Sequence, residues 1–385
     1  MNYGLAYMDS GPDADTEGRK MKIRRRVQII GAVLTASSLV LVSCSQADES
    51  ANGSDAANTS AQATSSETAG ETAGSEDDAT SWPRTVDSLV VNNGEVTGDT
   101  EEVEITEQPK NIVSTSVTLT GSLLAMDAPI KATGGAAAGG LADEQGFFLQ
   151  WADEAIEQGV ESLYNLEVDV EAIAAQDPDM IVVSASGQDS AVAEYDKLSA
   201  IGVPVVVVDY SDQGWDEIMS LLAEATGHEK DAAEAMQKYE DRLEEVTKAI
   251  ELPEQPTNFV MPLPGDRGLN FWSAESAQGQ LLEDIGFEVA VPDDEIVDTA
   301  GPRGARKDVK TVVPENAPKA ITGETVLTMS TTGGDPVESL KNNPLLANNP
   351  AIANDAIYLL SPELFRLDFY SAMMMLDELE KHFAK

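Results

Sequence analysis

The pattern of apolar and polar positions divides the chain into three parts. A basic and then apolar segment comes first, a long polar segment follows it, and from about Trp82 short apolar runs alternate with helical stretches. The apolar runs have the length of buried strands, and the stretches between them follow the helical period. This alternation predicts an α/β protein built from right-handed βαβ units around largely parallel sheets.

Residues 82–213 are predicted to form a first α/β lobe. Its first element is a hairpin, because Val86–Val91 and Val103–Ile105 alternate between apolar and polar positions. Four short apolar runs are predicted to be strands: Ile112–Ser114, Ile130–Ala132, Met180–Ser184 and Val205–Val208. Four stretches between them are predicted to be helices: Thr118–Ala125, Gly146–Ala155, Asp169–Ala175 and Ser190–Ile201.

A connecting helical region, residues 214–254, separates this lobe from a second one, residues 255–385. The helical period holds throughout Trp215–Ile250, with a predicted break at Gly227. The second lobe has five predicted strands and a last helix: Phe259–Pro262, Asn270–Trp272, Glu288–Ala290, Thr325–Met329, Ile357–Leu360 and the helix Leu367–Phe383. Two α/β lobes joined by one long helix leave a cleft where α/β folds commonly bind ligands. Because a single stiff helix joins the lobes, we expect them to move only modestly when a ligand binds.

The beginning of the chain has the features of a secretory signal over residues 1–44. Lys22 and Arg24–Arg26 form a basic region, and Val27–Val42 is apolar but shorter than a membrane span requires. The next residues, Leu41-Val42-Ser43-Cys44, resemble the bacterial lipobox. We therefore expect Cys44 to carry lipid and to anchor the protein to the outer face of the cell membrane. A free or buried thiol is the alternative at Cys44, and Met21 is the expected start codon.

Residues 45–81 are mostly Ser, Thr, Ala, Gly, Asp and Glu. Such a segment cannot bury enough apolar surface to offset its loss of conformational entropy, so we predict a flexible tether.

Composition excludes several classes of function. The formal net charge is −44, from 24 basic and 68 acidic residues, which argues against a nucleic-acid partner. One cysteine cannot form an internal disulfide. A structural zinc site normally draws on several Cys or His ligands, and the chain has only one cysteine and two histidines. We therefore predict no metal or other cofactor, and we expect a monomer.

Three long segments carry a resemblance to a known family: Asn111–Ile130, Phe271–Phe287 and Phe365–Leu379. They resemble the periplasmic ferric enterobactin-binding proteins, which are iron–siderophore substrate-binding proteins of ABC importers. The resemblance extends over about 109–383. It implies a bilobal fold with a helical backbone, a cleft for a ferric catecholate siderophore, and delivery to a permease that a cytoplasmic ATPase drives. The siderophore itself would hold the iron.

A ferric tris-catecholate is trianionic and carries flat aromatic rings, so its site needs cations and aromatic faces. Arginine suits this role because its planar fork both stacks and donates several hydrogen bonds. Arg366 and Arg306 match basic positions of the family, and Trp272 matches its aromatic cleft wall. Arg303 belongs to the same basic cluster as Arg306, and Tyr370 is a further candidate for the pocket lining.

Four of these residues also have an ordinary structural interpretation. Arg366 could instead form an ion pair with Asp368, and Trp272 and Tyr370 could simply pack in a core. Arg303 could lie in a solvated loop.

The chain also departs from the family pattern. Two basic positions of the family correspond here to Gly140 and Leu149, which weakens the expectation of a trianionic ligand. The resemblance further implies one acidic residue on each lobe that docks on the permease. Glu171 and Glu315 stand at those positions, although any single Glu of so acidic a chain can be an ordinary surface residue.

Two other functions stay open. The same fold could bind heme through Tyr210 or Tyr370, or another iron chelate such as a hydroxamate or mixed type. A siderophore esterase is remote, because the chain has no G-x-S-x-G turn and only His382 follows the cleft segments. We therefore predict no catalytic residue.

Overall fold

The computed structural model describes residues 81–385, except Leu166, Asp212, Asp266 and residues 300–305. These residues belong to one compact unit, Thr72–Lys385. The predicted signal segment with Cys44, nearly all of the predicted tether and Arg303 lie outside the described residues. Within the described part, no helix has both the length and the apolar character that a membrane span requires.

The described chain begins with an antiparallel hairpin of β1 (Arg84–Asn92) and β2 (Glu95–Ile105). Asn93 and Gly94 form its turn with positive φ angles of 51° and 78°. Asn-Gly is a favoured pair for two-residue hairpin turns because both residues tolerate that conformation. The hairpin predicted from alternation is confirmed, and it joins the first lobe where the N–H of Val207 donates to Ser88 Oγ at 2.9 Å.

Five parallel strands form the sheet of the first lobe. In spatial order they are β5 (Glu161–Asn165), β4 (Ile130–Gly135), β3 (Ile112–Ser114), β6 (Met180–Ser184) and β7 (Val205–Val208). Both β6 and β7 are buried at every position, as strands covered on two faces are. The chain runs outward from β3 to β5 on one side and from β6 to β7 on the other. The gap between β3 and β6 is therefore the topological switch point, where α/β sheets place their ligands.

The helices of the first lobe are short: α1 (Val117–Ala125), α2 (Ala152–Gln158), α3 (Val170–Ala175) and α4 (Tyr195–Ser199). Two helices then lead to the second lobe, α5 (Trp215–Thr226) and α6 (Glu229–Ala249). Gly227 ends α5 with a left-handed conformation (φ 75°), and α6 begins two residues later. The predicted break at Gly227 is confirmed, and α6 is the long connecting helix.

The sheet of the second lobe is mixed. In spatial order its strands are β10 (Val309–Val312), β9 (Leu269–Trp272), β8 (Thr257–Pro262), β11 (Thr325–Thr328) and β12 (Ile357–Leu359). The last three are parallel, whereas β9 runs antiparallel to both β8 and β10. The helices are α7 (Ala277–Ile285), α8 (Ala317–Ala320), α9 (Pro336–Lys341), α10 (Pro350–Ala353) and α11 (Phe369–Phe383).

Some sequence predictions for single elements were wrong. The strand predicted at Glu288–Ala290 is only one isolated bridge between Val289 and Thr257. The helix predicted from Gly146 begins at Ala152. Gly146 has φ 92°, and isolated β-bridges join Ala142 to Gly139 and to Phe148 in the loop before the helix. The edge strands β5 and β10 were missed, since their partly exposed positions break the apolar runs of central strands.

The last helix, α11, packs against both α6 and α1, so it touches the connecting helix and the first lobe together. Its N-cap is Asp368, which is 3% exposed. Asp368 Oδ1 accepts from the N–H of Ser371 at 3.0 Å and from its hydroxyl at 3.1 Å, and Oδ2 accepts from Gln150 Nε2 at 3.3 Å. A side chain at Gly121 of α1 would overlap the carboxylate. The carboxylate therefore fits here because position 121 is glycine.

We expect Asp368→Ala to cost about 1–2 kcal/mol of stability through loss of the helix cap, and Asp368→Asn to cost much less.

Burial raises the pKa of Asp368, although hydrogen bonds from Ser371 oppose that shift. A raised carboxyl pKa means that the folded state binds the proton more tightly, so this residue lowers stability as pH rises above about 4. Urea unfolding between pH 4 and pH 8 should show this decline in the wild type and a flatter profile in Asp368→Asn. Equal losses of stability in Asp368→Ala and Asp368→Asn would contradict the role of Asp368 as the cap of α11.

Candidate ligand-binding site

Three polar side chains meet at the switch point of the first lobe. Ser116 follows β3, Asp189 lies in the loop after β6, and Tyr210 comes two residues after β7. Tyr210 Oη donates to Asp189 Oδ1 at 2.8 Å, and the Ser116 hydroxyl donates to Asp189 Oδ2. The N–H of Thr118 also donates to Oδ2 at 3.2 Å. We call Ser116, Asp189 and Tyr210 the tyrosine cluster; its carboxylate holds the phenol in one orientation.

The phenol of Tyr210 is a neutral hydrogen-bond donor. Burial raises its pKa first, and the negative charge of Asp189 raises it further, while Arg366 lowers it. Gly187 makes room for this arrangement, because a Cβ there would overlap Tyr210 Oη. The left-handed backbone at Gly187 (φ 84°) gives a second reason for glycine at this position.

Arg366 reaches the tyrosine cluster from the second lobe. Its guanidinium carbon lies 5.3 Å from the ring centroid of Tyr210 and 4.9 Å from that of Phe365. Both distances are within the range of cation–π attraction. Arg366 and Tyr210 therefore face each other between the lobes, and the cation is held by aromatic faces.

The alternative partner for Arg366, Asp368, is engaged elsewhere. Its carboxylate accepts from Ser371 and Gln150, as described for the cap of α11. Among the described residues, no carboxylate lies within 4.0 Å of the Arg366 guanidinium. Its nitrogens are therefore not engaged in an ion pair with any described side chain.

Arg306 also lies beside the first lobe, but its charge is paired. Its Nε donates to Asp308 Oδ1 at 2.8 Å, and a second nitrogen pairs with Asp308 Oδ2. This bond raises the pKa of Arg306, and the charge of Asp209 contributes to the same shift. Because Asp209 directly follows β7, Arg306 approaches the same edge of the first lobe as Arg366 does. The neighbouring candidate Arg303 lies outside the described residues.

Trp272, the predicted cleft wall, is 3% exposed and ends β9. Its ring stacks on Phe259 at 4.8 Å and 24°, and it meets Phe365 edge-on at 6.0 Å and 90°. Phe365 in turn lies against Arg366. Trp272 thus packs against Phe365, on whose ring the Arg366 guanidinium lies. Direct contact of Trp272 with a ligand stays a prediction.

Tyr370 lies on the first turn of α11 and is half-buried. Its ring meets Phe369 at 5.5 Å. Burial raises its pKa first, and then Glu154, Asp368 and Asp127 do so, none of which belongs to the tyrosine cluster. The structure does not bring Tyr370 into a described contact with Arg366, and its predicted place in the pocket lining stays a prediction.

The loop after β4 meets the loop after β11 at Gly140. Gly140 has φ 30°, and a Cβ there would overlap the carbonyl oxygen of Thr331 in the second lobe. In this conformation no side chain fits at Gly140. Leu149, the other position where the family is basic, is 42% exposed, and its N–H donates to the carbonyl of Leu141 in the same loop. Neither position therefore supplies a positive charge on this side of the interlobe region.

The two predicted docking residues lie on different lobes. Glu171 is in the first turn of α3, and Glu315 is in the short 3-10 helix Pro314–Asn316. Both residues are exposed. Their role in docking stays a prediction.

Within the described ranges, no group of three or more His, Cys, Asp or Glu residues could hold a metal ion. The chemistry that the described residues offer is recognition through the guanidinium of Arg366 and the aromatic faces beside it.

Sequence reasoning missed Asp189 and named Tyr210 only as a possible heme ligand. A signal was available, because both residues follow correctly predicted strands of the first lobe. In a parallel sheet the carboxyl ends of neighbouring strands meet at one edge, so these positions could have been grouped.

We expect Gly187→Ala to destabilise the protein more than Gly202→Ala. Both glycines have left-handed backbone, with φ 84° and 89°, so both variants should lose about 1–2 kcal/mol to strain. Only Gly187 lies against Tyr210 Oη, whereas a Cβ at Gly202 meets nothing within 4 Å. Urea unfolding of the two variants measures the difference. Equal free energies of unfolding would mean that Tyr210 is not held as described.

Comparison with known proteins agrees with this architecture. Residues 112–364 match the model of the periplasmic binding protein family. The chain is 40% identical over 307 residues to the ferric enterobactin-binding periplasmic protein FepB of Escherichia coli O6:H1, which covers 79% of this chain and 92% of that protein.

Solved structures give the same result. Holo-ViuP has a TM-score of 0.69 at 31% identity and covers 79% of this chain and 96% of its own. The triscatecholate siderophore-binding protein FeuA of Bacillus subtilis, complexed with ferri-bacillibactin, has a TM-score of 0.54 at 19% identity, covering 74% and 95%. At that identity FeuA supports the fold alone. The predicted bilobal fold is confirmed, and the chain belongs to the periplasmic binding protein family, in the group that contains the ferric enterobactin-binding proteins.

Proposed function

We propose that this protein is the substrate-binding component of an ABC importer and captures a ferric siderophore between its two lobes, with catecholates as the ligand class to test first. The observation that carries the proposal is the guanidinium of Arg366, which faces Tyr210 across the lobes without a described carboxylate partner. Similarity to FepB, whose name states that it binds ferric enterobactin, supports the same ligand class. The siderophore fills the coordination of its iron, so the protein supplies no metal ligand.

In this proposal each residue of the site has a limited role. Arg366 donates to oxygens of the iron chelate, and Arg306 contributes from beside Asp308. Trp272 and Phe365 keep Arg366 in place through their aromatic contacts. Arg303 and Tyr370 are further candidates for ligand contact. No residue acts in catalysis.

Heme is a weaker ligand candidate. A tyrosine that ligates heme iron binds best as the phenolate, and burial together with Asp189 raises the pKa of Tyr210. The phenol also donates its hydrogen to Asp189. Both features disfavour Tyr210 as an axial ligand, whereas a hydroxamate or mixed iron chelate remains compatible with Arg366.

The lipobox pattern at Cys44 supports a lipid anchor on the outer face of the cell membrane. The polar segment 45–81 would then hold the folded domain away from the bilayer. From there the protein, acting as a monomer, delivers its ligand to the permease.

Arg366→Ala should weaken binding of an anionic iron chelate by about ten- to a hundredfold, because charge-assisted hydrogen bonds contribute about 1.5–3 kcal/mol. Quenching of tryptophan fluorescence on titration with ferric enterobactin, its linear fragments, simpler ferric catecholates and ferric hydroxamates measures the affinity. Lys238→Ala is the matched control, since it removes one positive charge from the exposed face of α6. No quenching by any iron chelate would refute the proposed function, and equal affinities of the two variants would refute the assigned site.

Charge reversal at the docking residues should separate binding from delivery. We expect Glu171→Lys and Glu315→Lys each to lower uptake of the iron chelate into cells severalfold while leaving its affinity for the purified protein unchanged. Glu240→Lys, an exposed position on α6, is the control for an equal change in net charge. Unchanged uptake in both docking variants would exclude these residues from the permease contact.

A further inference from the structure

We infer that Asp189 is a positioning residue for Arg366, and that this acidic side chain strengthens the binding of an anionic iron chelate although it is itself negatively charged. It acts through Tyr210, whose ring receives the guanidinium of Arg366. The inference rests on the proposed function and concerns how Arg366 is held before the ligand arrives.

Both oxygens of the Asp189 carboxylate are engaged within the first lobe. Oδ1 accepts from Tyr210 Oη at 2.8 Å, and Oδ2 accepts from the Ser116 hydroxyl and from the N–H of Thr118. Ser116 is the N-cap of α1 and Thr118 lies in its first turn, where a helix stabilises negative charge. Asp189 is therefore satisfied by donors of its own lobe. Among the described residues it forms no ion pair with Arg366 within 4.0 Å.

The hydrogen bond to Asp189 restricts the ring of Tyr210. Tyr210 lies two residues beyond the end of β7, outside any regular element, so the backbone alone does not fix its side chain. Asp189 holds the phenol at its oxygen, and Gly187 packs directly against that oxygen. The ring is thereby kept toward the second lobe, where the Arg366 guanidinium carbon lies 5.3 Å from its centroid. Without the bond to Asp189, the ring would be free to turn away.

Holding the guanidinium in advance favours ligand binding. Arginine has many side-chain rotamers, and their loss on binding lowers affinity unless the side chain is already ordered. Arg366 is ordered here between the rings of Tyr210 and Phe365. Aromatic rings attract a guanidinium without using its hydrogen-bond donors. The donors therefore remain available to the oxygens of an iron chelate.

Electrostatics and positioning predict opposite results when the Asp189 carboxylate is removed. Loss of a negative charge near the site should strengthen binding of an anion, whereas loss of positioning should weaken it. Asp189→Asn removes the charge but keeps a group that hydrogen-bonds to Tyr210, because an amide both donates and accepts. Asp189→Ala removes the charge and the hydrogen bonds together. The difference between these two variants therefore isolates positioning.

We expect Asp189→Ala to bind ferric enterobactin about three- to tenfold more weakly than Asp189→Asn. Quenching of tryptophan fluorescence measures the affinities, and urea unfolding shows that each variant is folded under the conditions of the titration. If the wild type does not bind ferric enterobactin, the ferric chelate that it binds most tightly is the probe. In an Arg366→Ala background the two Asp189 variants should bind equally, because no guanidinium remains to be positioned.

The possible outcomes separate this inference from the proposed function. Equal affinities of the two Asp189 variants, or tighter binding by Asp189→Ala, would overturn the inference and leave the proposed function intact. A difference that persists in the Arg366→Ala background would also overturn it, since Asp189 would then act without Arg366. Failure of the wild type to bind any ferric chelate would refute the proposed function itself.

Substitutions at Tyr210 test the ring separately. Tyr210→Phe keeps the aromatic face, whereas Tyr210→Leu removes it, so we expect Tyr210→Leu to bind about two- to tenfold more weakly. Tyr195→Phe and Tyr195→Leu are the matched controls, because Tyr195 is half-buried in the first lobe, on α4. The two Tyr195 variants should bind equally. Equal affinities of the two Tyr210 variants would show that its ring does not hold the guanidinium.

Discussion

The buried contact between the start of α11 and the first lobe determines the geometry of the site. Asp368 is enclosed there by Ser371, Gln150 and the glycine of α1, with each carboxylate oxygen hydrogen-bonded. A buried carboxylate tolerates little displacement, because any shift would leave it desolvated and unpaired. Arg366 precedes this anchor by two residues. The position of its guanidinium over Tyr210 is thus coupled to the way in which the two lobes are joined.

Aromatic packing completes what the anchor begins. Phe259, Trp272 and Phe365 form a continuous series from the interior of the second lobe to Arg366. Tyr210 continues the series on the other lobe, where Asp189 orients its phenol. In a chain with a net charge of −44, such faces hold a cation in place without neutralising it as a carboxylate would. The guanidinium remains available to an anionic ligand.

Prediction from sequence was most accurate where local rules and burial agree. The central strands β6 and β7 are continuous apolar runs, and Gly227 ends its helix as a left-handed residue must. It was least accurate where pairing with a neighbour decides the conformation. The edge strands β5 and β10 lack a strong apolar pattern. The segment Glu288–Ala290 has the alternating pattern of a strand but forms only one isolated bridge to a neighbouring strand. Resemblance to the family identified Arg366, but the partner that faces it, Tyr210, could be assigned only from the fold.

The sequence by itself determined the order of the elements, the two-lobe architecture and the acidity of the whole chain, because these depend on local periodicity and composition. Only the tertiary structure decided which charges are free. Arg366 and Arg306 are equivalent as residue types, yet one lies between aromatic rings and the other is paired with Asp308. Likewise, the resemblance to the family shows Gly140 only as a missing cation, whereas the fold shows that the carbonyl of Thr331 occupies the space of a side chain. Such differences arise from contacts between residues far apart in the chain, which no local pattern specifies.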